Sequence, residues 1–364
     1  MGAYIFRRLL LIIPTLFGIM AINFALVQFV PGGPIDQIIS NLEGQSDGFD
    51  LLGGSNADAG ISGRSVQMGA SAYKGARGLS EDFIRDLEIQ FGFDKPPLTR
   101  FWLMMKKYIT FDFGESYFRS VSVMDLVLEK MPVSITLGLW STVIAYMIAL
   151  PLGIKKAVRE GSRFDSWTTA ILVAAYAIPT FLFAVMLVIV FAGGSYFQWF
   201  PLRGLTSSNF SDLTVMGKML DYLWHIFLPV LAGSIGGFTT LSLLTKNSFL
   251  DEIKKQYVIT ARAKGLPERR ILYGHVFRNA MLIIIASFPG IFIGVFFGGS
   301  LFIETIFSLD GLGRMGFEAT ISRDYPIMFA TIYVFTLLGL LVKILSDLTY
   351  VWIDPRIDFG NRQS

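Results

Sequence analysis

The chain contains no cysteine and only two histidines, His225 and His275, among its 364 residues. No disulfide, iron–sulfur cluster or thiolate zinc site can form, and two imidazoles far apart in sequence leave little for a histidine metal site. Charge is scarce too: 16% of residues are charged, against roughly 25% in an ordinary soluble domain. Lys and Arg number 31 and Asp and Glu 28, leaving +3, too even a balance to point to nucleic acid. No G-x-x-x-x-G-K-[ST] phosphate loop occurs, and the single Gly-Lys pair, Gly217-Lys218, is followed by Met219. What is present is apolar: 53% hydrophobic and 14% aromatic residues, with a mean hydropathy of +0.55. That composition excludes a disordered chain and argues against a soluble globule.

A helix crossing ~30 Å of hydrocarbon needs about 20 mostly apolar residues, because lipid satisfies no backbone hydrogen bond. Runs of that kind predict an all-α polytopic protein with six membrane helices, at 9–30, 133–154, 167–192, 226–245, 280–303 and 326–351. Pro14, Pro151, Pro179, Pro229 and Pro289 fall inside or near these runs, where neighbouring helices can re-satisfy freed carbonyls. Lys and Arg in short loops set orientation. Sixteen such residues flank one set of span ends (Arg7 and Arg8, 155–163, 246–278, Arg356 and Arg362) and four the other. The first set is expected in the cytoplasm, with both termini. The first run is too long for a signal-peptide core and is read as an uncleaved anchor.

Residues 31–132 are the one sizeable polar region. Eleven glycines among the 50 residues from Pro31 to Ser80 predict a long loop. Gly44-Gln45-Ser46-Asp47-Gly48 matches the G-x-S-x-G nucleophile pattern, but without a preceding strand it is a chance match. Ser80 is placed as an N-cap, with Phe83, Leu87 and Phe91 on one helical face and Gly92 as the stop. The aromatics that follow suit a small cap packed on the membrane core; the sharper reading, compatible with it, is a surface that docks an external partner or guides a ligand to the pore.

Between the fourth and fifth spans, at 246–279, Asp251 to Ala263 reads as a helix ending at Gly265, with Pro267 opening a second. Ala261, Ala263 and Gly265 keep its tip slim while Arg262 and Lys264 charge it. Such a tip can enter a groove on a partner protein; an ordinary basic loop near anionic lipid is the plainer reading.

The segment Tyr257-Val258-Ile259-Thr260-Ala261-Arg262-Ala263-Lys264-Gly265-Leu266, with His275-Val276-Phe277-Arg278-Asn279-Ala280 after it, resembles the "EAA" loop of binding-protein-dependent ABC importer permeases. It is most similar to the oligopeptide/dipeptide/nickel branch, with Ile259 where the general pattern has Glu. Pro31-Gly32-Gly33-Pro34, Gly92-Phe93-Asp94-Lys95-Pro96, Asp112-Phe113-Gly114-Glu115-Ser116, Glu304 to Gly313, Arg323-Asp324-Tyr325-Pro326 and Asp354-Pro355-Arg356 resemble further signatures of that branch. The insertion around 40–80 and the run Pro132 to Ser141 resemble a subgroup that imports oligopeptides and microcin C.

The resemblance implies a type I ABC importer permease (MetI-like) fold, with 31–132 a periplasmic insertion, 133–351 a five-helix core and 352–364 a cytoplasmic tail. It implies a non-catalytic subunit of the bacterial inner membrane that binds no cofactor itself. Its partners would be a second homologous permease, a cytoplasmic ATPase whose two nucleotide-binding domains hold ATP and Mg, and a periplasmic peptide-binding protein. Tyr257, Thr260, Ala261, Arg262, Ala263, Lys264 and Gly265 would form the ATPase-coupling helix. Charge reversal at Arg262, or bulk at Ala261 or Gly265, is then expected to uncouple hydrolysis from uptake.

Gly233 and Gly237 in the fourth span, and Ala286, Gly290, Gly294 and Gly298 in the fifth, repeat every four residues and allow close helix approach in lipid, within the chain or against a second permease. Lys343 and Asp347 share a face of the sixth span and are expected to form a snorkelling pair. Glu304 could gate the path, hold the following loop or contact cationic peptide. Asn23 and Gln28 are read as helix-packing residues, with a path contact the alternative. Competing readings are the same machine carrying dipeptides, nickel or oligosaccharides, an ATP-independent secondary transporter, and a membrane-embedded enzyme, for which no catalytic constellation is found.

Overall fold

The computed structural model describes residues 2–30, 32–39, 81–194, 196–294 and 300–353. The Gly44–Gly48 match, Ser80, Gly298 and Asp354-Pro355-Arg356 lie outside the described residues. α1 (Gly2–Phe29) carries the first apolar run, and α2 (Glu81–Gln90) and α3 (Pro97–Ile109) follow it. α4 (Val123–Val158) holds the second run and begins well before it. α5 (Arg163–Ala177) and α6 (Thr180–Phe191) share the third, and α7 (Val215–Ile253) is the fourth. α8 (Gln256–Ala263) and α9 (Glu268–Ile271) occupy the next loop. A π turn (Leu272–Val276) leads into α10 (Phe277–Ile293), then α11 (Ser300–Ile306), α12 (Leu312–Ser322) and α13 (Tyr325–Ile353).

Five helical stretches among the described residues, one of them running from α9 through the π turn into α10 (Glu268–Ile293), are long and apolar enough to cross a membrane, or six if α5 and α6 form one span bent by 95°. The break sits at Pro179, expected to be tolerated within a span. Its ring drives Ile178 into an extended conformation (φ −82°, ψ 119°), and no neighbour restores the helix. Packing decides that the bent pair is a crossing. A Cβ on Gly233 would stand 2.7 Å from Ser141 Oγ, and one on Gly153 2.5 Å from Thr245 Cβ. Both contact points advance the same number of residues in the same sense along α4 and α7, so these helices run parallel. The chain must therefore return across the membrane between them, through α5 and α6. α10 and α13 pack antiparallel: Ser346 Oγ donates to the Ile285 carbonyl at 3.3 Å, and Gly339 faces Ile293. Arg8, near the start of α1, meets Asp347, near the end of α13, at 3.2 Å. These two helix ends therefore share a side of the membrane. For Asp347 this is a partner on another helix, which spacing along α13 cannot reveal.

The chain divides into two compact units, Met1–Leu16 with Val127–Phe317 and Tyr333–Ser364, and Phe17–Leu126 with Glu318–Ile332. The first holds the packed spans. The second gathers the scattered signatures. Ile35, Ile39 and Leu87 form its small core, with Phe91 and Phe93 against it. α2 ends in a Schellman turn: Gly92, at φ +74°, donates to Ile89 and Phe93 donates to Glu88. Arg323 lies directly over Gly32, where any Cβ would be 1.9 Å from its guanidinium. The buried Asp324 accepts from Ser116 Oγ at 2.5 Å and from the Tyr117 N–H at 3.3 Å.

Candidate functional site

The loop after α7 is rigid because both ends of α8 are tied down. Val258 and Ala261, three residues apart on its underside, are buried against Phe249, Ile271, Val276 and Ala280. Burying Val258 alone contributes about 1.5–3 kcal/mol. The Tyr257 hydroxyl donates to Glu252 at the end of α7 (2.8 Å) and accepts from Asn279 at the start of α10 (3.3 Å). Burial, and less strongly the Glu252 carboxylate, push this phenol above its ordinary range against the pull of Asn279, so it stays a neutral donor. At the far end Gly265 adopts φ +79°. It donates to Arg262, and Leu266 donates to Ala261, closing a second Schellman turn. Across that turn Arg262 grips Glu268 with two parallel bonds, Nε to Oε1 at 2.5 Å and Nη2 to Oε2 at 3.1 Å. Pro267 is the N-cap of α9 rather than its first residue.

The residues singled out in sequence therefore separate. Thr260, Arg262, Ala263, Lys264 and Gly265 are exposed, Tyr257 is half-buried and Ala261 faces the core. Bulk at Ala261 acts on packing and bulk at Gly265 on backbone conformation, so Ala263 is the small position that reports on an external contact.

Sequence reasoning missed an ionic cluster beside this loop. Lys156, read as one of several loop cations, is fully enclosed at the end of α4. Its ammonium donates to the Asp165 carbonyl (3.0 Å), Thr168 Oγ1 (2.9 Å) and Thr169 Oγ1 (2.6 Å), and lies 3.2 Å from Asp165 Oδ1. Lys246 on α7 reaches the other carboxylate oxygen at 2.7 Å. Asp165 thus ties α5 to α4 and α7. The pattern Ser162-x-x-Asp165 marks a helix start but carries no sign of two lysines from other helices.

Glu304 is completely buried. Its carboxylate accepts from Ser134 Oγ (2.6 Å) and the Arg314 N–H (2.7 Å), while Ser134 Oγ accepts from the Leu312 N–H (2.8 Å). Gly311 lies so close that a Cβ there would be 2.3 Å from the carboxylate. Lys130 clamps the same loop through Asp310. Of the three roles weighed for Glu304, these contacts belong to holding the loop. Asn23 donates to the Ile19 carbonyl within α1 (2.8 Å), and Gln28 accepts from Arg100 (2.8 Å). Gly233 is packed within the chain, whereas no atom of the described residues lies within 4 Å of where a Cβ on Gly290 or Gly294 would stand, and Ala286 beside them is exposed; Gly237 is half-buried.

α8 is thus a surface helix seated on α7 and α10. Residues 149–359 match the family described as binding-protein-dependent transport system inner membrane component. The chain belongs to that family. It is a permease subunit of an ABC transporter, a multi-pass inner-membrane protein whose ATPase activity resides in partner chains. It is 60% identical over 363 residues, 100% of both chains, to the peptidoglycan transport system permease protein YejB of Agrobacterium fabrum strain C58. It is 57% identical over 367 residues, again 100% of both, to the inner membrane ABC transporter permease protein YejB of Escherichia coli O157:H7. The oligopeptide transport system permease protein AppB of Bacillus subtilis strain 168 is 29% identical over 99% of this permease and 100% of its own length. The permease fold is also similar to an inward-facing structure of the MetNI methionine ABC transporter, with TM-score 0.50 and 16% identity over 63% of this chain and 97% of that one.

Proposed function

We propose that this permease forms half of the path by which an ATP-driven importer brings oligopeptides, microcin C-like peptides among them, across the bacterial inner membrane. The observation that carries the mechanism is α8, exposed on one face and fixed to α7 and α10 on the other. ATP and Mg bind on a separate ATPase with two nucleotide-binding domains, which holds the α8 tip in a surface groove. Closure of those domains shifts α8, and its ties to Glu252 and Asn279 pass the shift to α7 and α10 as packed units. A second, homologous permease covers Ala286, Gly290 and Gly294, because one copy cannot enclose a path. A periplasmic binding protein delivers cargo. Both termini and α8 face the cytoplasm, the side that the sixteen basic residues of the short loops select.

A second cargo is favoured by one comparison: the relative at 60% identity is named for peptidoglycan transport, so cell-wall peptides join oligopeptides as candidates. Proteoliposomes holding both permeases and the ATPase, with binding protein outside, separate these. The proposal expects ATP-dependent uptake of oligopeptides. Uptake by this chain alone down an ion gradient would end it, and uptake confined to cell-wall peptides, dipeptides, nickel or oligosaccharides would replace the cargo.

A further inference from the structure

The helix α3 belongs to the stretch expected to be a periplasmic loop, yet its contacts are with the apolar flank of a membrane span. Phe101 packs on both Phe17 and Phe24 of α1, with ring centres 5.4 and 5.3 Å apart, and Trp102 lies 5.8 Å from Phe17. Phe17 stands about 18 Å down α1 from Phe29, at ~1.5 Å per residue. The crossing of α3 over α1 is therefore well inside the hydrocarbon. On the outward side of α3, Leu98, Trp102 and Ile109 are exposed, like Ile22, Leu26 and Phe29 on α1, with Lys106 and Lys107 exposed in its last turn. In water the apolar side chains would form an exposed patch; beside a membrane span they continue its lipid-facing surface.

Within this apolar setting no carboxylate among the described residues lies within ion-pair distance of Arg100. Its Nη2 reaches outward to Gln28 Oε1 at 2.8 Å, near the end of α1, as a snorkelling side chain does. Its Cζ sits 4.6 Å over the Phe93 ring, and its Nε is buried with no acceptor among the described residues. The guanidinium borders a cavity of about 390 Å³ whose walls include Phe24, Leu103, Met104 and Phe329, together with Lys107 and the Asp112 that pairs with it at 3.6 Å. A half-buried cation with no carboxylate partner among the described residues, one wall of aliphatic and aromatic side chains and a mouth at the outer end of a span define an amphiphile with an anionic head.

We propose that this cavity binds one anionic phospholipid of the leaflet around the outer half of α1, its phosphate on Arg100 and its glycerol and first methylenes against Leu103 and Met104. The guanidinium then gains an anionic partner, and α3 is held in the leaflet rather than in the periplasm. The site concerns lipid, not cargo, and stands whatever the importer carries.

The test is thermal unfolding of the purified permease complex in detergent, with dioleoylphosphatidylglycerol or dioleoylphosphatidylcholine added. The expected result is a rise in Tm with phosphatidylglycerol only. Arg100→Gln, compared against its own lipid-free Tm, should weaken the lipid response roughly tenfold or more in concentration, the loss of one charge-assisted bond pair. Arg100→Lys should restore part of it. Should Arg100→Gln fail to fold, Leu103→Trp, which fills the cavity without touching the guanidinium charge, must also lose the response. Equal responses to the two lipids, or an undiminished response in the Arg100→Gln or Leu103→Trp complex, would overturn the proposal. Glycerol 3-phosphate alone reproducing the shift would reduce the site to a phosphate site, and trialanine doing so through Arg100 would make it a peptide-carboxylate site; either result refutes lipid as the occupant.

Discussion

Replacing Asp165 by Asn should be the most damaging single change at the end of α5, and the arrangement of the two lysines says by how much. The side chain of Lys156 has 0% exposure and that of Lys246 18%. The neutral amide would leave both ammonium groups without their shared counter-charge, one of them sealed from water. An uncompensated buried charge costs about 3–5 kcal/mol. Lys246→Ala removes the partner that water can reach, and Asp165 keeps Lys156; about 1–3 kcal/mol follows. Lys156→Met removes the sealed charge itself. Asp165 then keeps Lys246, and the Thr168 and Thr169 hydroxyls remain bonded to the carbonyls of Phe164 and Asp165, each at 2.7 Å. That change should cost no more than about 1–2 kcal/mol. Added to Asp165→Asn, it should recover part of the loss, because neighbours in one network couple. Equilibrium unfolding in mixed detergent micelles measures all four proteins. Asp165→Asn costing no more than Lys246→Ala, or no rescue by Lys156→Met, would refute the reasoning.

Three further outcomes follow from single contacts. Ala263→Trp, on the exposed face of α8, should leave stability within about 0.5 kcal/mol while abolishing stimulation of the partner ATPase by cargo; Ala261→Trp, on the buried face, should instead lower stability by about 1–3 kcal/mol, and both are read by unfolding and ATPase assays side by side. Gly311→Ala drives a methyl group into the Glu304 carboxylate and should cost about 1–3 kcal/mol, whereas Gly290→Leu, where no atom of the described residues lies within 4 Å of a Cβ, should leave this chain's own unfolding unchanged and reduce co-purification of the second permease. Gly265→Ala, held at positive φ, should lose about 1 kcal/mol and raise proteolysis of the 264–268 turn.

The spans were legible because lipid tolerates little besides uncharged side chains, and the run lengths carry that constraint directly. The bend at Pro179 was not: a proline is tolerated or helix-breaking according to what packs beside it, and Pro14 stays inside α1 while Pro179 parts α5 from α6. The turn at Gly265 was readable because it needs a particular backbone angle. The orientation of Ala261 was not, since a slim residue suits a docking face and a buried one equally. Asp165, Asp347 and Glu304 gain their meaning from Lys156 and Lys246, from Arg8, and from Ser134, each on another helix. Local pattern carries no trace of such pairs. The apolar stripe of α3 was visible as aromatic content, but its place beside Phe17 needed the fold.

Because the chain has no cysteine, a single introduced thiol reports on one place only. The decisive measurement is therefore Thr260→Cys on the exposed face of α8, in sealed membranes containing the whole transporter. The expected outcome is labelling by a membrane-impermeant maleimide from the cytoplasmic side alone, and a cross-link to the ATPase subunit whose yield changes when ATP is trapped. Labelling from the periplasmic side, or an ATPase that never cross-links there, would contradict it.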